Sequence, residues 1–211
     1  RDPQACPREG RGGSNSVRLR DCPQLGDPKR SLLGAAQERW LAEGWDLHRP
    51  WNLVAQQTLM TRLAWNGADD PVYWTDGWDG YAASRQRLLG SVAERQVPGV
   101  VVLGGDVHAH YVADLKRDFD DPHAAPIATE FCGTSIASRG PAAERTAEAL
   151  RHNPHIRYAR SDRRGYVACR LDGKMLHASL MAVDDATQPD SAVRVAARFV
   201  VDAGQPGAQP A

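Results

Sequence analysis

No run of apolar residues in this 211-residue sequence approaches the ~20 needed to span a membrane. Charge of one sign is also missing. Lys plus Arg number 26 and Asp plus Glu number 26, for a formal charge of zero. No basic excess points to nucleic acid as a partner, and there is no acidic tail. The Gly-x-Gly-x-x-Gly, P-loop, Cys-x-x-Cys and Gly-x-Ser-x-Gly patterns are absent. Without the last, no serine stands out as a nucleophile. No internal repeat is visible. The chain opens Arg1-Asp2-Pro3, with neither Met nor the apolar core of a signal peptide. That opening reads as a fragment or a processed chain.

Cysteine is scarce, with four in the chain. Cys6 and Cys22 lie in Gly/Pro/Ser-rich sequence and are expected to close a short loop. In an oxidising compartment that bond would contribute ~3 kcal/mol. The alternative is a pair of loop thiols in a reducing cytosol. Cys132 and Cys169 lie in apolar, strand-like sequence and are expected to be buried free thiols. Hydrophobic residues make up 42%, and the length suits one large domain with a core.

The most informative stretch is Val97-Pro98-Gly99-Val100-Val101-Val102-Leu103-Gly104-Gly105-Asp106-Val107-His108-Ala109-His110. A β-branched run bounded by Pro-Gly and Gly-Gly reads as a buried central strand. Alternation along an extended chain would aim Asp106 and His108 to one side at its carboxyl end. Ligands of open α/β sheets gather at such ends. A carboxylate and an imidazole there can serve one metal ion. A loop Asp capping a turn beside a surface His is the competing reading.

Around that strand the chain divides into segments. Residues 1–30 read as an irregular surface segment. Leu33, Ala36, Gln37, Trp40 and Leu41 share a helical face, with Ser31 as a start signal and an end near Gly44. Trp40 and Trp45 are expected to be packing residues. Trp51–Met60 reads as a strand. Residues 61–79 form a long connection rich in Trp and Asp, and long connections are often functional. A helix is expected over about 80–95; the preceding cluster Trp74–Tyr81 either caps it through Asp79 with aromatic packing or takes a direct part in the chemistry. Asp118, Asp120 and Asp121, with His123, could hold calcium, but a solvated loop is the preferred reading. Pro126–Phe131 reads as a strand, and Thr134 and Ser135 could place hydroxyls near the site. Pro141–Leu150 reads as a helix. His155 follows in a turn, with a structural hydrogen bond as its default role. Residues 165–171, 175–183 and 193–201 suggest terminal antiparallel strands, with a hairpin at Asp172-Gly173. Residues 204–211 read as a flexible tail.

Several segments come together in the order of one family. They are Leu33–Leu41, Trp51–Met60, Asp76-Gly77-Trp78-Asp79-Gly80-Tyr81, Val102–His108, Glu130–Ile136, Asn153-Pro154-His155 and Arg164-Gly165-Tyr166. The chain resembles the C-terminal half of PhoD-like alkaline phosphatases/phosphodiesterases, within the calcineurin-like metallophosphoesterases. The resemblance covers about residues 31–203, taken as one domain portion. It implies an α/β (α+β) fold: half of a two-sheet sandwich flanked by helices, ending in antiparallel strands. It implies hydrolysis of phosphate monoesters or diesters, with Fe3+ and Ca2+ as cofactors. On this resemblance Asp106 and His108 are metal ligands, and Trp78, Asp79 and Tyr81 lie near substrate. It also implies an extracytoplasmic location, periplasmic or secreted, with no signal in this chain.

There are departures from the family pattern. Ala82 stands where Pro is commoner, which should loosen a helix start. His110 replaces a small polar residue and is either an extra ligand or inert. The metal-binding motifs of the family's N-terminal half are not found here, so this chain alone should bind metal weakly and turn over little. A non-catalytic remnant or structural module of the same fold is the alternative, and a calcium-binding surface module is a weaker one. Substrate and oligomeric state are not fixed by the sequence.

Overall fold

A computed structural model describes residues 1–10, 12–67 and 69–211. In chain order it places strand β1 (Ser16–Arg18), helix α1 (Ala35–Glu43), β2 (Asn52–Ala55) and β3 (Val72–Trp74). A 3-10 turn over Trp78–Tyr81 leads into α2 (Ala82–Glu94). Then follow β4 (Val100–Gly104), β5 (His110–Lys116), β6 (Pro126–Cys132), α3 (Ala143–Leu150) and β7 (Ile156–Arg160). The chain ends in β8 (Arg164–Leu171), β9 (Met175–Val183), β10 (Val193–Asp202) and β11 (Gln205–Pro210).

The β-branched run does form a central strand. β4 lies parallel to both β2 and β6, and a five-stranded sheet runs β2-β4-β6-β5-β7. Its two faces follow from alternation along β4. Val100 and Val102 pack with Leu88, Leu89 and Val92 of α2, together with Trp45, Met60 and Trp78. Val101 and Leu103 face the other way, against Leu176, Ala178, Leu180, Phe199 and Val201. Those residues belong to a four-stranded antiparallel sheet, β11-β10-β9-β8. Two sheets therefore share one core, with helices on the far face of the mixed sheet, as expected for this class.

Several sequence expectations are corrected. The tail is not free: Gln205–Pro210 form β11, paired with β10, and Gly207 N–H donates to Thr129 Oγ1 at 2.9 Å. The Trp51–Met60 strand is shorter, because only Asn52–Ala55 pair with β4. Trp40 is 69% exposed, whereas Trp45 is buried and donates its indole N–H to Ser91 Oγ at 3.0 Å. Ser31 receives Gly34 N–H, but the helix start itself is Gly34, at φ 82. Cys132 is buried as expected, while Cys169 is exposed on an edge strand. Cys6 and Cys22 are disulfide-bonded across a sequence separation of 16. With Ala5, Val17 and Leu25, Cys22 makes a small core of its own under the largely irregular N-terminal segment.

Candidate active-site cleft

The segment from Gln56 to Trp65 has no strand or helix of its own, yet it lies over the carboxyl end of β4. Its backbone polar groups need partners all the same. Side chains from four places supply them. Glu130 of β6 accepts Met60 N–H and Thr61 N–H, both at 2.7 Å. Asp79 accepts Leu63 N–H at 3.0 Å. Asn153 accepts Ala64 N–H at 3.0 Å and donates to Ala64 O at 2.7 Å. His155 Nε2 donates to Arg62 O at 2.8 Å. Gly104 permits the close approach beneath this loop, since a Cβ there would stand 2.5 Å from Thr58 O.

The loop walls a cleft with two chambers. The apolar one, about 380 Å3, is lined by Leu59, Leu63, Trp65, Trp74, Trp78 and Tyr111, with Asp79, Asp106 and Arg145 among its polar groups. The second is more polar and includes Arg1, Gln37, Gln56, Gln57 and Asp76. Thr58, Trp78 and Asp106 line both. Asp106 thus stands where the chambers meet.

Asp106 and His108 are not carried on extended backbone. Their φ angles are 66° and 56°, so strand alternation does not orient them, and that expectation is corrected. Val107 N–H turns back onto Gly105 O at 2.8 Å. Asp106 is exposed. His108 lines neither chamber; its Nδ1 lies 3.0 Å from Arg139 O. A carbonyl can only accept, so that hydrogen bond puts a proton on Nδ1, and in the neutral ring Nε2 is then the nitrogen a metal would take. Among the described residues, no group of three or more His, Cys, Asp or Glu is placed to hold a metal ion. A carboxylate and a neutral imidazole suit calcium and iron in kind, but two donors do not complete a centre.

The other candidates separate clearly. Trp78 is 1% exposed and donates its indole N–H to Gln56 Oε1 at 3.1 Å. Asp79 does not cap α2. It forms a buried ion pair with Arg85, whose Nη1 donates to Asp79 Oδ1 at 2.7 Å. Tyr81 is not brought to the cleft, because its hydroxyl donates to Asp2 O at 2.7 Å and Arg30 lies over its ring. His110 is fully buried between Thr134 N–H, at 3.3 Å from Nδ1, and Met181 O, at 3.1 Å from Nε2. Burial pulls its pKa below the usual range, and its role is structural. Asp118 and Asp121 accept backbone N–H groups two residues on, and Asp120 pairs with Arg62. Thr134 and Ser135 hydroxyls donate to the carbonyls of Arg163 and Ser138.

Three participants were not singled out from sequence. Glu130 is fully buried, and burial pushes its carboxyl up to about 7. Its one visible signal was an acid inside the apolar run Pro126–Cys132. Arg85 and Arg145 gave no signal apart from their helices.

Comparison with known proteins follows the same lines. The family model described as PhoD-like phosphatase matches residues 1–180. Alkaline phosphatase D of Bacillus subtilis (strain 168) is 36% identical over 185 residues, covering 86% of this chain and 32% of that protein. A solved structure titled "Structure of PhoD" superposes with a TM-score of 0.85 at 32% identity, covering 100% of this chain and 39% of that one. The chain thus spans about a third of the length of the curated relative it matches.

Proposed function

This chain belongs to the PhoD-like phosphatase family, and on that footing we propose that it is one part of a metal-dependent phosphoesterase acting on phosphate monoesters or diesters. The observation that carries the reading is Asp106 at the junction of two chambers, with His108 two residues on and its Nε2 left free. Asp106 and His108 would contribute two ligands to a centre of Fe3+ and Ca2+. The remaining ligands would come from residues outside this chain. A bound metal in such a centre neutralises phosphate oxygens and makes water a stronger nucleophile.

What the chain's own residues do is position and exclude. The Arg139 carbonyl fixes the His108 tautomer. Gln56 holds the Trp78 indole, and the Asp79–Arg85 pair ties the cleft loop to α2. Trp78 and Asp79 would bound the substrate from the apolar side. The balanced charge fits a site in which metal ions, rather than a basic surface, meet the phosphate. No helix among the described residues is long and apolar enough to cross a membrane. The Cys6–Cys22 bond supports an extracytoplasmic location.

The test is hydrolysis of bis(4-nitrophenyl) phosphate and 4-nitrophenyl phosphate with iron and calcium supplied. The 211-residue chain alone should turn over little. Within a longer protein that carries this chain and further ligands, turnover should appear, and His108→Ala should return it to background. Undiminished turnover in that variant would overturn the assignment.

A further inference from the structure

The apolar chamber is far more aromatic than a phosphate alone requires. Three of the chain's six tryptophans, Trp65, Trp74 and Trp78, line it with Tyr111, Leu59 and Leu63. Its volume is about 380 Å3, where a cavity of about 150 Å3 already takes benzene. A fused two-ring group fits within that space. Trp65 and Trp74, the two lining rings with exposed surface, favour an aromatic occupant through offset or edge-on ring contacts.

Charge at the rim is equally specific. The charged residues lining the chamber are Asp79, Asp106 and Arg145. Asp79 is already paired with Arg85. Arg145, exposed near the start of α3, lies with its guanidinium 4.2 Å from the centre of the Trp65 ring. It makes no salt bridge among the described residues. A cation stacked on one aromatic wall remains free to meet an anion entering beside Asp106.

We propose that this chamber is the subsite for the alcohol portion of the phosphate ester, that it takes a planar aromatic group, and that Arg145 draws in the attached phosphate. The inference rests on the phosphoesterase reading for its role, but the binding it claims does not need metal or turnover.

Calorimetric titration of the whole 211-residue chain, without added metal, tests it. The probes are 1-naphthol, 1-naphthyl phosphate, 1-octyl phosphate and inorganic phosphate. 1-Naphthol should bind with one molecule per chain, and 1-naphthyl phosphate about fivefold more tightly. 1-Octyl phosphate should bind less tightly than 1-naphthyl phosphate. Arg145→Gln, at an exposed position, should bring 1-naphthyl phosphate down to the affinity of 1-naphthol. Trp65→Leu should weaken both aromatic probes. No heat with 1-naphthol would overturn the subsite. Equal or tighter binding of 1-octyl phosphate would make it an alkyl site instead and overturn the aromatic assignment. Unchanged 1-naphthyl phosphate affinity in Arg145→Gln would remove the role of the arginine. 1-Naphthol carries no phosphate, so its binding stands or falls apart from the hydrolysis assay.

Discussion

Replacing Glu130 with glutamine should yield a variant that gains on the parent chain as pH rises. The carboxyl is fully buried, and its two oxygens receive Met60 N–H and Thr61 N–H. Burial outweighs those two bonds and pushes its pKa to about 7 from 4.5. The native state therefore keeps a proton that the unfolded chain has released. A raised acid pKa supplies stability that is whole below about pH 4.5 and is lost as pH climbs through 7. The span from 4.5 to about 7 is worth roughly 3 kcal/mol. Glutamine has one accepting oxygen, so one of the two backbone donors is left facing an amide N–H. That deficit costs about 1–3 kcal/mol at every pH. The variant should then be less stable at pH 4.5, with the gap closing or reversing by pH 7.5. Urea unfolding of both proteins at pH 4.5, 6.0 and 7.5 measures the difference, and groups common to both cancel. A gap that is constant, or that widens with pH, would refute the reasoning. It would mean that Glu130 is held ionised by its two donors.

The neighbouring histidine should behave in the opposite sense. Burial lowers His155 to about 4, so native stability should fall as pH drops from about 6.5 through 4. Compared with His155→Gln in urea melts, the parent should lose up to about 3 kcal/mol over that range. Asp79→Asn leaves Arg85 buried without its partner and should cost about 3–5 kcal/mol; equal denaturation midpoints would show the pair to be unimportant. Reducing the Cys6–Cys22 bond should remove about 3 kcal/mol from the N-terminal core, seen as earlier proteolysis of residues before Asp27 with β4 still protected from hydrogen exchange. Simultaneous loss of both would show that this core is not a separate unit.

The strands of the core were legible because burial leaves a simple mark. Val100–Leu103 alternates between two apolar neighbours, and both faces must be apolar. The cleft loop was not legible for the converse reason. Its order comes from Glu130, Asn153 and His155, which reach it from 69 to 93 residues away. Each of these looks locally like an exception: an acid in a strand, or an Asn and a His in a turn. Residues 204–211 misled because Pro and Gly normally argue against pairing. Here they occupy an edge strand, where one side of the backbone needs no partner. Asp106 and His108 were found by residue type and order, but their orientation was misread. Nothing in Gly104-Gly105-Asp106 says that the left-handed residue is the aspartate rather than a glycine.

That left-handed pair gives the functional reading its physical content. Asp106 and His108 hold φ of 66° and 56°, a conformation that costs non-glycine residues about 1–2 kcal/mol each. A loop that needed only to turn could use the two glycines that precede them. Side chains at both left-handed positions make sense if the side chains are what the turn presents. The supports behind them point the same way. Arg139 O engages the His108 ring, and the adjacent Gly140 lies against the backbone of His108, where a Cβ would stand 2.1 Å from His108 O. One short segment thus fixes both the ring and the main chain of a single histidine. On the proposed reading, the two contacts hold a ligand ready before its metal arrives, with the ordering cost met by folding rather than by binding.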